Sequence, residues 1–324
     1  MEMEHSRRTA LKLSAMAGGV AATGVAATGG VATRTARRPV TTFVFVVGAS
    51  GGAGAGGYYE LMLRGHRAVA VELPGHDPVG QYHRAYQAPQ DLAALASAPS
   101  PMKGIGLDDY VDAAVTTIRR AAKNGPVVAV GGSMGGVTLS RTANEVPDLI
   151  DHLVYDSAFC CVDLRSAVDY LATPEGRTSL LLDPALATGV VGDPARLGAV
   201  RFNWRTADPK FLAAVRAANI AEDGPQGERE LMAMLNGLLP DESLTVSSED
   251  GRGHKETWGR VPRTYIRHTL DTSIPLALQN RMIREADRLT PRNRFAVRDV
   301  RTGHYATGDG WRQIIDILHG LAPR

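Results

Sequence analysis

Three polar residues that could act together in acyl transfer each follow an apolar run of the chain. Ser133 comes directly after PVVAVGG, Asp271 ends the stretch TYIRHTLD, and His304 ends FAVRDVRTGH. A serine hydroxyl becomes an effective nucleophile when a histidine removes its proton and a carboxylate holds that histidine in the right tautomer. The residue types and their order therefore predict a nucleophile, an acid and a base, each positioned near the end of a strand.

The pattern G-x-S-x-G occurs at 48–52 and again at 131–135. A nucleophile in this pattern needs a strand before it, a tight turn around the serine, and a helix directly after it. Residues 136–141 can continue as a helix, whereas the segment 51–57 is too rich in glycine for a sound first helical turn. We therefore predict Ser133 as the nucleophile and not Ser50; the alternative is that Ser133 only caps a helix.

Backbone amides next to the two glycine-rich turns are the expected stabilisers of a developing oxyanion. The amide of Met134 directly follows the predicted nucleophile, and the amide of Ala49 lies in the loop after the first predicted strand. The acid has one competitor, Asp156, at the end of another predicted strand. Four further side chains are predicted to contact the substrate: Ser50, Phe159, Trp204 and Tyr305.

The glycine loop at 52–57 has an alternative interpretation as a nucleotide-binding turn. It matches G-x-G-x-x-G after a strand, and Glu72 ends the next apolar run, where a ribose-binding acid would stand. The Tyr-x-x-x-Lys pair of many dehydrogenases does not follow. A nucleotide-binding oxidoreductase is thus the less favoured alternative.

The elements that must position these residues alternate between strands and helices. A helical stripe covers 107–124, and apolar β-branched runs predict strands at 42–47, 67–72, 127–130, 150–155, 264–267 and 295–300. Such alternation predicts an α/β fold with a mostly parallel sheet and helices on both faces. The stretch of about 159–261 shows helical patches and no clear strand, so we expect a helical cap inserted before the last two strands.

The first 38 residues differ from the remainder in composition. Arg7 and Arg8 precede a weakly apolar, glycine-rich stretch, which predicts a twin-arginine signal peptide with its linker and export to the periplasm or the cell exterior. The segment holds six of the 36 basic and two of the 34 acidic residues, so residues 39–324 carry a formal charge of about −2. This remainder has no basic stripe typical of nucleic-acid binding, and no stable membrane anchor is expected after the signal is removed.

Length and composition fit one α/β domain over residues 39–324. The chain has 324 residues, of which 44% are hydrophobic and 22% charged. Cys160 and Cys161 are adjacent and cannot form a disulfide framework, and no cluster of Cys and His suggests zinc. We expect neither a metal nor an organic cofactor.

Several segments together resemble the α/β-hydrolase family, in particular plant methylesterases, hydroxynitrile lyases and their bacterial esterase-like relatives. They are VVGAS at 46–50, RGHRAVAVELPGH at 64–76, VGGSMGG at 130–136, LVYDSAF at 153–159, RTYIRHTLDTSIP at 263–275 and TGH at 302–304. The resemblance implies a triad of Ser133, Asp271 and His304. The lyases carry Thr at the position of Gly48 and Lys at that of Tyr305, so the resemblance favours hydrolysis over cyanohydrin cleavage.

The residues and the resemblance together predict an exported serine hydrolase that cleaves a small-molecule carboxylic ester through an acyl-enzyme. A lyase or cyclase with the same fold but no ester turnover is the alternative.

Overall fold

A computed structural model describes residues 40–52 and 58–323 of the chain. Its strands are β1 (Thr42–Val46), β2 (Arg67–Ala70), β3 (Val127–Ser133), β4 (His152–Ala158), β5 (Ala199–Arg201), β6 (Asp241–Ser243), β7 (Arg263–His268) and β8 (Ala296–Val300). Six of them form one parallel sheet in the order β2-β1-β3-β4-β7-β8.

Helices surround this sheet. They are α1 (Tyr59–Leu63), α2 (Pro78–Gln81), α3 (Leu92–Ser97), α4 (Leu107–Ala122), α5 (Gly135–Glu145), α6 (Ala167–Leu171), α7 (Pro194–Leu197), α8 (Pro209–Asn219), α9 (Gly224–Gly237), α10 (Leu276–Leu289) and α11 (Gly308–Leu321).

The central strands are buried on both faces because their alternate residues enter two different hydrophobic clusters. Val44, Ala129 and Leu153 join the cluster that holds the buried side chains of α4 and α5. Phe45 and Val130 join the opposite cluster, with α11. The mostly parallel sheet with helices on both faces that the sequence predicts is confirmed.

The insertion between β4 and β7 contains helices α6 to α9 and also two strands. Strands β5 and β6 pair antiparallel, and the buried Arg201 guanidinium makes a bidentate contact of 2.6 Å to the Asp241 carboxylate across them. The sequence predicted no strand here, and that expectation was wrong. Each strand is only three residues long, too short to produce a hydrophobic period.

Glycines bring α5 into direct contact with the ends of two strands. A Cβ on Gly135 would lie 2.3 Å from the Val46 carbonyl oxygen, and one on Gly136 would lie 2.2 Å from the carbonyl oxygen of Phe159. The helix therefore crosses the sheet edge at backbone contact, as the G-x-S-x-G pattern predicts.

Two predicted segments lie outside the described residues: the signal peptide and linker at 1–38, and residues 53–57 of the glycine loop. Within the described part of the chain, the helices lack the combined length and apolarity needed to traverse a bilayer.

The close approach of α5 predicts that Gly135→Ala destabilises the fold. The new methyl group would meet backbone atoms, which cannot move aside as a side chain can, so we expect the free energy of unfolding to fall by at least about 2 kcal/mol. Urea denaturation followed by circular dichroism measures the change.

The matched control is Gly320→Ala in α11, where a Cβ meets no atom within 4 Å. Because alanine is the better helix former, we expect this variant to be unchanged or stabilised by up to about 1 kcal/mol. Equal losses in both variants would contradict the packing explanation.

Candidate active site

Ser133 occupies a strained turn between β3 and α5. Its φ is 52°, in the left-handed region that a residue with a Cβ rarely adopts. A Cβ on Gly48, in the loop after β1, would approach the Ser133 Cβ to 2.8 Å, so this loop runs directly beside the serine. The turn thus presents the hydroxyl at the carboxyl edge of the sheet, where parallel sheets place their ligands.

The three residues predicted as nucleophile, base and acid form a continuous hydrogen-bond chain. The Nε2 atom of His304 lies 2.9 Å from Ser133 Oγ, and its Nδ1 atom lies 2.7 Å from Asp271 Oδ2. Because a carboxylate can only accept, Nδ1 carries the proton and Nε2 is left as an acceptor for the serine hydroxyl. This tautomer is the one that general-base chemistry requires.

Asp271 is buried and held by three further donors. The amides of Ser273 and Ile274 donate to its Oδ1 at 2.7 and 2.8 Å, and the Ser157 hydroxyl donates to Oδ2 at 2.5 Å. Burial alone would raise the pKa of Asp271, but the charge and hydrogen bond of His304, with the donors from Ser157 and Ile274, hold it below its ordinary value. The carboxylate therefore stays ionised beside the histidine.

Asp156, the competing acid, lies next to a different histidine. Its Oδ1 atom is 2.9 Å from Nε2 of His268, whose Nδ1 atom is 2.9 Å from the Gly303 carbonyl oxygen. Since both ring nitrogens face acceptors, this position suits the imidazolium form, which donates from both nitrogens. Burial opposes that charge, but the charge and hydrogen bond of Asp156, aided by Asp271 and Gly303, outweigh it and raise the pKa of His268.

The His268–Asp156 pair was not predicted from the sequence. His268 stands at the end of β7, which is the one local signal that it reaches the site. Its contacts with Asp156 and with Gly303, the residue before His304, connect β4, β7 and the loop that carries His304.

Glu242 of the insertion holds the loop after β1. Its carboxylate accepts the Ser50 amide at 2.6 Å and the Tyr110 hydroxyl at 3.0 Å. His76 completes the network through the Tyr110 hydroxyl at 2.7 Å and the Gly51 carbonyl at 2.6 Å. Burial opposes the charged form of His76, but the Glu242 carboxylate, whose Oε2 lies 3.6 Å from His76 Nε2, and the Gly51 carbonyl outweigh it and raise the pKa of His76.

The amides of Ala49 and Met134 differ from that of Ser50 because none of the described groups accepts a hydrogen bond from them. Met134 is the N-cap of α5, where backbone N–H groups have no partner within the helix. Both amides are thus available to an acceptor outside the described protein groups.

A cavity of about 1000 Å³ lies over the Ser133 hydroxyl, between the sheet edge and the insertion. Most of its lining is apolar, including Leu186, Val215 and Met234. Three of the four predicted substrate contacts line it: Ser50, Trp204 and Tyr305.

Phe159 is not brought to this cavity. Its side chain is only 3% exposed and packs in the main core. The chain turns under α5 at this point, where the Phe159 amide donates to the Ser133 carbonyl oxygen at 2.9 Å. Its position directly after a strand therefore places it in the core and not in the cavity.

The insertion also contacts the loops of Asp271 and His304 directly. Thr272 Oγ1 donates to the Ala217 carbonyl oxygen at 2.6 Å, and Ser273 Oγ donates to that of Ala218 at 2.8 Å. The Tyr305 amide donates to the Asn219 carbonyl oxygen at 3.0 Å. The last carbonyl groups of α8, which have no partner within a helix, are satisfied by residues next to Asp271 and His304.

In the described part of the chain, no group of three or more His, Cys, Asp and Glu side chains is arranged to hold a metal ion.

The imidazolium of His268 predicts a pH-dependent contribution to stability. The pKa of His268 is raised on folding, so its contribution to stability is fully present at a pH below the pKa of the unfolded state, about 6.5. The contribution is lost as the pH rises through the pKa of the folded state. The free energy of unfolding of the wild type should therefore exceed that of His268→Gln most at low pH. Urea titrations at a series of pH values from about 5.5 to 9 measure the difference; a difference that grows with pH would contradict an imidazolium.

Comparisons with known proteins agree with this architecture. Residues 43–316 match the model of a family described as "Alpha/beta hydrolase family". An alpha-hydroxynitrile lyase of Arabidopsis thaliana is 25% identical over 222 residues, covering 66% of this chain and 72% of the relative.

Solved structures show the same fold at low sequence identity. A pyrethroid hydrolase from Sphingobium faniae is 18% identical with a TM-score of 0.60, covering 87% of this chain and 98% of that one. An extracellular alpha/beta-hydrolase from a Paenibacillus species is 18% identical with a TM-score of 0.59, covering 86% and 98%. The predicted α/β-hydrolase fold is thereby confirmed.

Proposed function

The chain belongs to the alpha/beta hydrolase family, and on that premise we propose that it is a serine hydrolase that cleaves carboxylic esters. The observation that carries the proposal is the hydrogen-bond chain from Ser133 through His304 to Asp271 at the cavity floor. An esterase named for polyneuridine aldehyde is among the structures with the same fold, at 20% identity and a TM-score of 0.58.

The proposed reaction passes through an acyl-enzyme. His304 Nε2 removes the Ser133 proton as Oγ bonds to the ester carbonyl carbon, and then returns that proton to the departing alkoxide oxygen. Water next gives a proton to His304 Nε2 as its oxygen bonds to the acyl carbon. The bond from that carbon to Ser133 Oγ then breaks, His304 passes the proton to Oγ, and the acid is released. Asp271 remains ionised and stabilises the imidazolium in both halves.

The amides of Ala49 and Met134 are proposed to hold the oxyanion of each tetrahedral intermediate. Two observations support this role. None of the described groups accepts a hydrogen bond from either amide, and Glu242 fixes the adjacent Ser50 amide. Donors held in place before the reaction need no reorganisation when charge develops, and one such donor contributes about 3 kcal/mol.

The two adjacent cysteines are proposed to take no part in the reaction. Both are buried and free, and burial raises the pKa of the Cys160 thiol to about 12. A thiol in that condition is a poor nucleophile at neutral pH.

We also propose export through the twin-arginine pathway, on the strength of Arg7 and Arg8 and the stretch that follows them. A folded domain whose two cysteines are both free suits a route that carries folded proteins. No metal or organic cofactor is needed for the proposed chemistry.

Replacement of Ser133 is predicted to abolish ester hydrolysis. Without the hydroxyl no acyl-enzyme forms, so Ser133→Ala should lower kcat for short p-nitrophenyl esters by at least about 1000-fold. A fluorophosphonate probe should label the wild type and fail to label this variant.

Ser50→Ala is the matched control, since Ser50 stands in the other G-x-S-x-G pattern and also has a left-handed φ, of 56°. It should keep the covalent labelling. Labelling that disappears in Ser50→Ala and persists in Ser133→Ala would reverse the assignment. A folded wild type with neither labelling nor turnover would favour a lyase, as in the Arabidopsis relative.

A further inference from the structure

A second, smaller pocket adjoins the cavity over Ser133. This side pocket has a volume of about 150 Å³ and shares five lining residues with the main cavity: Gly48, Tyr58, Gly132, Asp156 and Trp311. Its other walls are apolar side chains of β1, β3 and α11. Because an apolar cavity of about this volume holds benzene, the side pocket can take a group of about six non-hydrogen atoms.

Asp156 is the acidic residue of the side pocket. Only its Oδ1 atom is occupied among the described groups, by the hydrogen bond from His268, while Oδ2 has no donor. The side chain is 17% exposed, and Oδ2 keeps some of that exposure, so a ligand in the side pocket can reach it. A carboxylate oxygen in such a position is favoured to accept a hydrogen bond from a ligand, and most strongly from a charged donor.

Two aromatic side chains stand at the same pocket. The ring centroids of Tyr58 and Trp311 are 6.0 Å apart, and both residues line the side pocket and the main cavity. Burial, and secondarily the negative charge of Asp156, raise the pKa of the Tyr58 hydroxyl, so this ring stays neutral. Aromatic faces attract cations, as carboxylates do.

The charges around the two pockets also favour a cation. Carboxylates of Asp156, Asp183 and Glu242 line the main cavity, and no described Lys or Arg lines either pocket. The His268 ring stands beside Asp156 and the His76 ring beside Glu242, but Asp183 has no cationic partner among the described groups, so the cavity keeps an excess of negative charge. An anionic group would therefore be disfavoured there.

We propose that the side pocket binds a protonated amine on the substrate, with an N–H donated to Asp156 Oδ2 and the charge against the rings of Tyr58 and Trp311. The substrate would then be an ester with a small amine-bearing part in the side pocket and a larger apolar part in the main cavity. The identification of the ligand as an ester rests on the proposed function; the affinity for an amine does not.

Calorimetry on the full chain carrying Ser133→Ala tests the site without turnover. Benzylamine, benzyl alcohol and toluene have similar size and differ in charge and hydrogen bonding. We expect benzylamine to bind about tenfold more tightly than benzyl alcohol, and that preference to disappear in Asp156→Asn. The asparagine oxygen can still accept from His268.

Two further variants locate the binding. Trp311→Leu should weaken benzylamine severalfold, and Asp183→Asn, which removes a more distant charge that lines the main cavity only, should lower the preference far less than Asp156→Asn does. Equal binding of benzylamine and benzyl alcohol, or a preference that survives Asp156→Asn in a folded protein, would overturn the proposal.

Kinetics on matched esters then separate this inference from the proposed function. Each pair consists of two esters that differ in one group, which is dimethylaminoethyl in one ester and the equally large 3-methylbutyl in the other. In the first pair this group belongs to the alcohol part of the ester, and in the second pair to the acyl part. We expect kcat/KM to favour the amine about tenfold in one pair, and the ratio to approach one in Asp156→Asn. Ester turnover that depends on Ser133 but lacks this preference refutes the amine site alone, whereas amine binding without any turnover refutes only the esterase.

Discussion

The left-handed backbone of Ser133 is the constraint on which the arrangement of the site depends. Such a conformation is unfavourable by about 1 to 3 kcal/mol for a residue with a Cβ and persists only where its surroundings hold it. Here α5 begins immediately after the serine, and Gly135 and Gly136 let it touch the backbone of β1 and of the segment after β4. The same contacts that maintain the turn bring the loop with Gly48 beside the hydroxyl.

Around this turn, polar contacts connect segments that are far apart in the chain. The parallel order of the sheet places the ends of β4, β7 and β8 at one edge, and buried hydrogen bonds then fix their loops against one another. Asp271 is held by Ser157 from β4, and the segment before His304 is held by His268 from β7. Because these groups are removed from water, each contact is stronger and each missing partner is more unfavourable than at the surface.

Much of the fold and of the candidate site could be predicted from the sequence because the sequence patterns that indicate them are local. Apolar runs marked β1 and β7, the glycine spacing marked the turn at Ser133, and position after a strand selected Asp271 and His304. His268 and Glu242 could not be found in this way, since their partners Asp156 and Ser50 lie 112 and 192 residues away. Phe159 was misplaced because adjacency to a strand end does not say whether a side chain faces the cavity or the core.

The polar contacts made by the insertion limit how this protein could be redesigned. Glu242 secures the loop that bears Ala49, and the carbonyl groups at the end of α8 secure the loops of Asp271 and His304. Residues 159–261 therefore help to position the candidate active site and also cover it. Grafting the corresponding segment of another family member would exchange the walls of the cavity and at the same time remove the contacts that hold the loops of Asp271 and His304. Altered selectivity is better sought by replacing single apolar wall residues, such as Leu186 or Met234, which line the cavity without serving those supports.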